Sequence, residues 1–153
     1  TGAWNAATST GVMNAVANVV SVQEGGTEIV APKALAQVTA TINNNLRGIK
    51  AIGTLGNFDI GIGRSLINGT MQAYFEDGAE VDKFLAGTET SLTFVVQDAA
   101  GNAYVVSFPR IKFVTQEVNA GAIDQDVILD MEWQAIREAT NDYTMQIDRI
   151  AAA

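Results

Sequence analysis

Between Ile67 and Phe113 the apolar positions change period twice, and each change marks a new element. Ile67, Gly69, Met71, Ala73 and Phe75 fall on one side of a two-residue alternation, with Asn68, Thr70, Gln72 and Tyr74 on the other. That is the pattern of a strand with one buried face. The period then becomes helical, because Val81, Phe84 and Leu85 stand at i, i+3 and i+4 between Asp77, placed as an N-cap, and Gly87, placed as a C′ residue. One short helix over about residues 77–86 is predicted. Alternation returns in Leu92, Phe94 and Val96, breaks at Asp98-Ala99-Ala100-Gly101-Asn102 and resumes with Tyr104, Val106 and Phe108, which predicts a hairpin.

The flanking regions extend the same vocabulary. Val127, Leu129, Met131, Trp133 and Ala135 make one face of a strand, opposite Asp126, Asp130, Glu132 and Gln134, with Ile128 the one apolar exception. Tyr143, Met145 and Ile147 alternate after the turn residues Ala139-Thr140-Asn141-Asp142, so a closing hairpin is expected. Upstream, Val38, Ala40 and Ile42 predict a strand within residues 33–45 that ends at Asn43-Asn44-Asn45. Residues 12–22 show no clean period and read as strand plus loop. The expected core is Met71, Phe75, Phe84, Leu85, Leu92, Phe94, Val106, Phe108, Leu129, Met131 and Trp133. These elements predict a mainly β fold, an antiparallel β-sandwich or partly closed barrel with one short flanking helix, formed as a single domain over 1–153 and least defined over about 1–35.

The stretch from Leu46 to Arg64 reads in two ways. Gly48, Gly53, Gly56, Gly61 and Gly63 interleave with Ile49, Ile52, Leu55, Phe58, Ile60 and Ile62. Gly61-Ile62-Gly63 lacks the third glycine of a dinucleotide loop and the Lys-Ser/Thr ending of a P-loop, so a phosphate site is disfavoured. Either the segment is an ordinary core hairpin, or it is an arm whose isoleucines reach a neighbouring subunit.

Composition narrows the chemistry. The 153 residues are 48% apolar and 17% charged, enough to bury a core in one domain. Cysteine and histidine are both absent, which removes thiol catalysis, thiolate metal sites, the usual proton shuttle and the commonest transition-metal ligand. No run approaches the roughly 18 apolar residues of a membrane span, so no membrane anchor is expected. The opening Thr1-Gly2-Ala3-Trp4 has no initiator Met, and the chain is expected to be the carboxy-terminal portion of a longer protein.

The net charge of −8 is uneven: residues 1–75 hold three acids and four bases, while residues 76–153 hold fourteen acids and five bases. Gripping a phosphate backbone needs clustered cations, and Arg47 with Lys50 is only a two-charge group. Asp126, Asp130 and Glu132 are the candidate acidic face; a hydrolytic carboxylate pair there is disfavoured, since residues two apart on a strand meet the spacing trivially. Asp124 and Asp126 lack the twelve-position calcium loop. Serines such as Ser65, Ser91 and Ser107 have no histidine to activate them. No catalytic residue, metal or cofactor is nominated.

The order Asn43-Asn44-Asn45-Leu46, Gly61 to Arg64, Asn68-Gly69-Thr70-Met71-Gln72-Ala73-Tyr74-Phe75-Glu76-Asp77, the helix with Phe84-Leu85, and Gly101-Asn102-Ala103-Tyr104 leading to Pro109-Arg110-Ile111-Lys112-Phe113 resembles tail tube proteins of long-tailed bacteriophages. The likeness covers roughly residues 38–150. It implies a structural, non-enzymatic subunit of the virion tail, assembled in the host cytoplasm, that associates with itself into sixfold rings stacked as a hollow tube. Other tail proteins would be its neighbours and DNA a non-specific passing cargo. In that setting the acidic face turns either to the bore or to solvent, and a passage that must not hold a polyanion favours the bore. The alternatives are a carbohydrate-binding or adhesive β-sandwich, with Tyr74 and Tyr104 as its sugar platform, and a carboxylate hydrolase.

Overall fold

A computed structural model describes residues 13, 14, 17–29, 35–75 and 78–152 of the chain. In chain order the strands are β1 (Val19–Glu24), β2 (Thr27–Glu28), β3 (Leu35–Val38), β4 (Thr41–Asn43), β5 (Arg47–Lys50), β6 (Asn57–Gly61) and β7 (Leu66–Tyr74). Helix α1 (Ala79–Leu85) follows, then β8 (Glu89–Gln97), β9 (Ala103–Asn119), β10 (Ile128–Ala135) and β11 (Gln146–Ile150). Nine of these strands form one antiparallel sheet in the order β2-β1-β8-β9-β10-β7-β3, with β11 beside β9 and β4 beside β7. Among the described residues its two ends do not pair, so the barrel is open.

The inner face of this curved sheet holds the core. Ile67 and Met71 of β7, Leu129, Met131 and Trp133 of β10, Leu92 of β8, and Phe108, Ile111 and Phe113 of β9 are all buried. Phe108 joins the two halves, its ring 5.1 Å from that of Trp133 and 6.2 Å, edge-on, from that of Phe94. Gly69 permits a close approach of backbone and ring: a Cβ there would lie 1.9 Å from the Thr39 carbonyl oxygen and 2.6 Å from Trp133 Cζ2. Thr39 bridges β3 and β4 across that point, its amide donating to Thr70 O at 2.9 Å. The strand expected within residues 33–45 is therefore two short ones, and Lys33 lies outside the described residues.

The 17-residue strand β9 carries two irregularities that decide what is buried. Thr90 pairs with Ile111 and Leu92 with Phe108, so Pro109 and Arg110 together oppose Ser91. Proline has no amide to donate and is tolerated in a sheet at such a bulge. A second bulge at Val114 follows, where Glu132 pairs with Thr115 and Trp133 with Phe113. Ile111 and Phe113 thereby join Phe108 inside, although uninterrupted alternation would have turned them outward.

The hairpin expected around residues 98–102 forms, with Asp98 Oδ1 accepting from the amides of Ala100 and Asn102 at 2.8 and 2.9 Å and Gly101 at φ +91°. The closing hairpin does not form. β11 pairs with Ala103–Ser107 of β9 and not with β10, because β10 takes the Ile111–Asn119 half of β9 and leaves that earlier edge open. Glu138 organises the intervening loop by accepting the amides of Thr140 and Asn141 at 2.8 and 2.7 Å.

The helix is shorter than expected. Its N-cap is Gly78, while the expected cap Asp77 lies outside the described residues, and Gly87 adopts φ +62° as the C′ residue should. Val81 and Phe84 pack on the core, but Leu85, expected inside, is 74% exposed. A seven-residue helix presents one i, i+3 pair to the sheet, and Leu85 closes its last turn beyond that contact. Phe75, also expected in the core, stands past the end of β7 and is 37% exposed.

Candidate functional site

Two surfaces stand out, one acidic and one apolar. The acidic surface lies on the outer face of β9, β10 and β7. Glu132 is flanked across the sheet by Thr115 and Thr70, and Asp130 by Glu117 and Gln72. These side chains border an open groove of about 380 Å³. Glu117 and Asp130 are like charges on one cross-strand rung, an arrangement that costs about 0.2–1 kcal/mol when uncompensated. Amides moderate it: Gln72 Nε2 donates to Asp130 Oδ1 at 2.6 Å, and Asn119 Nδ2 donates to Asp130 Oδ2. Both oxygens of Asp130 are thus engaged.

Of the three expected acids, two share this face. Asp126 does not, since β10 begins at Ile128 and Asp126 sits in the exposed loop before it. Glu117, unnamed from sequence, takes its place. The signal was present in Thr115 and Glu117 alternating after Phe113, but the bulge at Val114 hid the phase.

The apolar surface is the segment from Leu46 to Arg64. β5 and β6 pair with each other as a separate two-stranded sheet, in register Arg47 with Gly61 and Ile49 with Asp59. All six nominated residues are exposed: Ile49, Phe58, Ile60 and Ile62, and at the tip Ile52 and Leu55 at 107% and 108%, values of side chains that touch nothing. The tip turns through Gly53 and Gly56 at φ +89° and +102°, with Thr54 Oγ1 donating to Ala51 O at 2.9 Å. An apolar hairpin whose large side chains stand exposed is the reverse of a core hairpin.

The base of the hairpin is held firmly, and here the Asn43-Asn44-Asn45 run has a physical role. Asn45 takes φ +46°, its amide donates to Asn43 Oδ1 at 2.8 Å, and its Nδ2 donates to Arg64 O at 2.7 Å. Gly63 N donates to Asn44 O at 3.1 Å, and a Cβ at Gly63 would stand 2.7 Å from Asn45 O. The glycine of Gly61-Ile62-Gly63 thus closes a clamp between two strands, and no helix follows it to hold a phosphate.

The other sequence candidates separate in space. Tyr74 and Tyr104 are both about two-fifths exposed, but Tyr74 reaches through Ile128 to Asn119 at one end of β9, while Tyr104 is at the other. Fifteen residues of strand, about 50 Å along the chain, divide them, and no sugar platform forms. Glu89 and Arg110 make a bidentate pair beside the first bulge, with Arg110 Nη2 2.8 Å from Glu89 Oε1. That hydrogen bond, offset in part by desolvation, holds the Glu89 carboxyl below its ordinary value. Among the described residues no group of three or more acids converges as a metal site, and no helix is long and apolar enough to cross a membrane.

Residues 1–135 match the model of the family described as phage tail tube protein. No curated protein matches the sequence. Among solved structures, a chain of the sheath–tube complex of an extracellular contractile injection system, PVC, in the extended state superposes with a TM-score of 0.62 at 12% identity, covering 91% of this chain and 93% of that one. A chain of the sheath/tube terminator of the same system gives 0.66 at 11% identity, covering 94% of this chain and 100% of the other. At such identities the likeness is one of fold.

Proposed function

The chain belongs to the phage tail tube protein family, a structural component of the virion tail, and from that membership we propose that it works by associating with copies of itself into sixfold rings that stack around a channel for DNA. The 46–64 hairpin carries this reading. Its large apolar side chains are exposed to water at a cost of roughly 25 cal/mol for each Å² of apolar surface, which a neighbouring copy would remove. The open sheet supplies a second kind of contact, because edges such as β2 and β11 offer unpaired backbone groups to the next subunit of a ring.

The groove bearing Glu117, Asp130 and Glu132 is assigned to the bore. Its carboxylates repel phosphates, and the amides on Asp130 fix their positions, so DNA passes without the counterion release that would bind it. The sheath and terminator belong to the PVC assemblies; for this chain the corresponding partners are other tail proteins at the surface and ends of the tube.

The test is direct. Purified chain is followed by light scattering and negative-stain microscopy as its concentration rises, and rings or tubes are expected. A monodisperse monomer at every concentration refutes the proposal.

A further inference from the structure

Trp133 carries a donor into the core without an acceptor. Its side chain is 1% exposed, and its indole Nε1 has no hydrogen-bond partner. A buried N–H left unpaired costs its full desolvation, so folded proteins rarely keep one. The close approach at Gly69 shows where the acceptor stands. Gly69 shares its side of β7 with buried Ile67 and Met71, so a Cβ there would point into the core, 1.9 Å from Thr39 O and 2.7 Å from Trp133 Cε2. Laid end to end, these distances put oxygen and Cε2 no more than about 4.6 Å apart, and Nε1, one C–N bond of about 1.4 Å beyond Cε2, no more than about 6 Å from the oxygen. One water spans such a gap with two hydrogen bonds of about 2.8–3.0 Å. We infer that a single internal water molecule is a fixed part of this fold, accepting from the Trp133 indole N–H and donating to the Thr39 carbonyl.

Two polar groups are the fewest that hold a buried water. The Gln116 amide, also buried and without a partner, is not one of them. Strand β10 has β7 on one side and β9 on the other; Gln116 faces Met131 from β9, whereas the Cε2–Cζ2 edge of the indole lies at Gly69 of β7. Thr39 suits the role because its other polar groups are committed. Its amide donates to Thr70 O at 2.9 Å, and its hydroxyl meets Thr70 Oγ1 at 2.7 Å and accepts from Thr70 N at 2.9 Å. Those bonds tie the β3–β4 corner to the neighbouring strand, and the water ties it to the core. Four residues on, β4 ends at Asn43, where the clamp at the base of the 46–64 hairpin begins. The bridge therefore fixes both the corner and, through β4, the root of that hairpin.

The test reads the water in the unassembled, isotope-labelled chain, so its outcome is separate from that of the assembly experiment. Trp4 and Trp133 are the two tryptophans, and Trp4→Phe leaves one indole signal. That proton should show a cross-peak to water whose NOE and ROE have opposite signs, the mark of a water that stays longer than the chain takes to tumble. The peak should persist in Thr39→Ala, where no threonine hydroxyl can relay it. Its absence from either variant overturns the bridge. Trp133→Phe keeps a ring and removes the N–H, and amide exchange over residues 39–45 should quicken on the order of 10-fold relative to the 98–102 turn, the net worth of one hydrogen bond. Equal acceleration in both segments would reduce Trp133 to packing and overturn the tie to the corner. If Trp133→Phe does not fold, the cross-peak decides alone.

Discussion

Replacing Ile52 and Leu55 together by Glu separates assembly from folding more sharply than any other change to this chain. Both side chains are fully exposed in the subunit, so the double variant should melt within about 0.5 kcal/mol of the parent. In the assembly each would be buried, a gain of about 1.5–3 kcal/mol per side chain. Losing both weakens the contact by about 3–6 kcal/mol, and since each 1.4 kcal/mol is tenfold, by about 10² to 10⁴. The sign of the charge adds to this, because the new carboxylates would face a neighbouring copy whose net charge is −8. Sedimentation velocity across a concentration series reads the association, and circular dichroism reads the melt. Assembly at the parental concentration would refute the arm as a contact. A melting temperature lowered by several degrees would instead mean that the hairpin packs on its own subunit.

Three further outcomes test the fold and its charges. Trp133→Asp should abolish the cooperative melt, since loss of a buried Trp costs about 3–5 kcal/mol before the buried carboxylate is counted, whereas Asp130→Asn should leave the fold intact; equal tolerance of both would overturn the assignment of the two faces of β10. Gly69→Ala places a methyl against the Thr39 carbonyl and the Trp133 ring, and overpacking of about 1–3 kcal/mol should lower the melting temperature by about 2–12 °C; an unchanged melt would contradict that close approach. Glu89, paired with Arg110, has its carboxyl held below the ordinary 4.5, so its contribution is present above that pH and lost as pH falls through the folded-state value. Glu89→Gln should therefore flatten the acid side of a melting-temperature profile, and a profile of parental steepness would argue against the pair.

What the sequence made legible follows from where local rules govern. Strand β7 and strand β10 face one way throughout, so Met71, Leu129, Met131 and Trp133 could be placed inside by alternation alone. Ile111 and Phe113 could not, because the bulges at Pro109-Arg110 and Val114 shift the phase of β9, and bulges depend on the partner strand. The same shift concealed Glu117. The pairing of β11 was misplaced for a different reason: a turn signal at Ala139–Asp142 identifies a reversal but not which edge is vacant, and the vacancy was created by β10 leaving half of β9. The arm was legible only as a choice between two readings. Glycine spacing fits both, and the exposure of Ile52 and Leu55, a property of the whole chain, sets aside only the core hairpin.

The two modes of association proposed here respond to salt in opposite directions. Copies with a net charge of −8 repel one another when their sheet edges meet side by side, and at 0.15 M salt the Debye length of about 8 Å leaves close groups only partly screened. Added salt therefore favours lateral closure. Stacking through the arm, in which Arg47, Lys50 and Arg64 stand against Asp59 alone, is steered toward an acidic neighbouring copy, and the same screening weakens that steering while leaving the apolar part unaffected. Because Asn45 and Gly63 clamp the base of the arm, little ordering entropy is spent when it docks, and the apolar term dominates at the contact. Raising ionic strength should thus shift the balance toward closed rings relative to stacked tubes, since the repulsion it relieves acts between side-by-side copies and the attraction it weakens steers the arm.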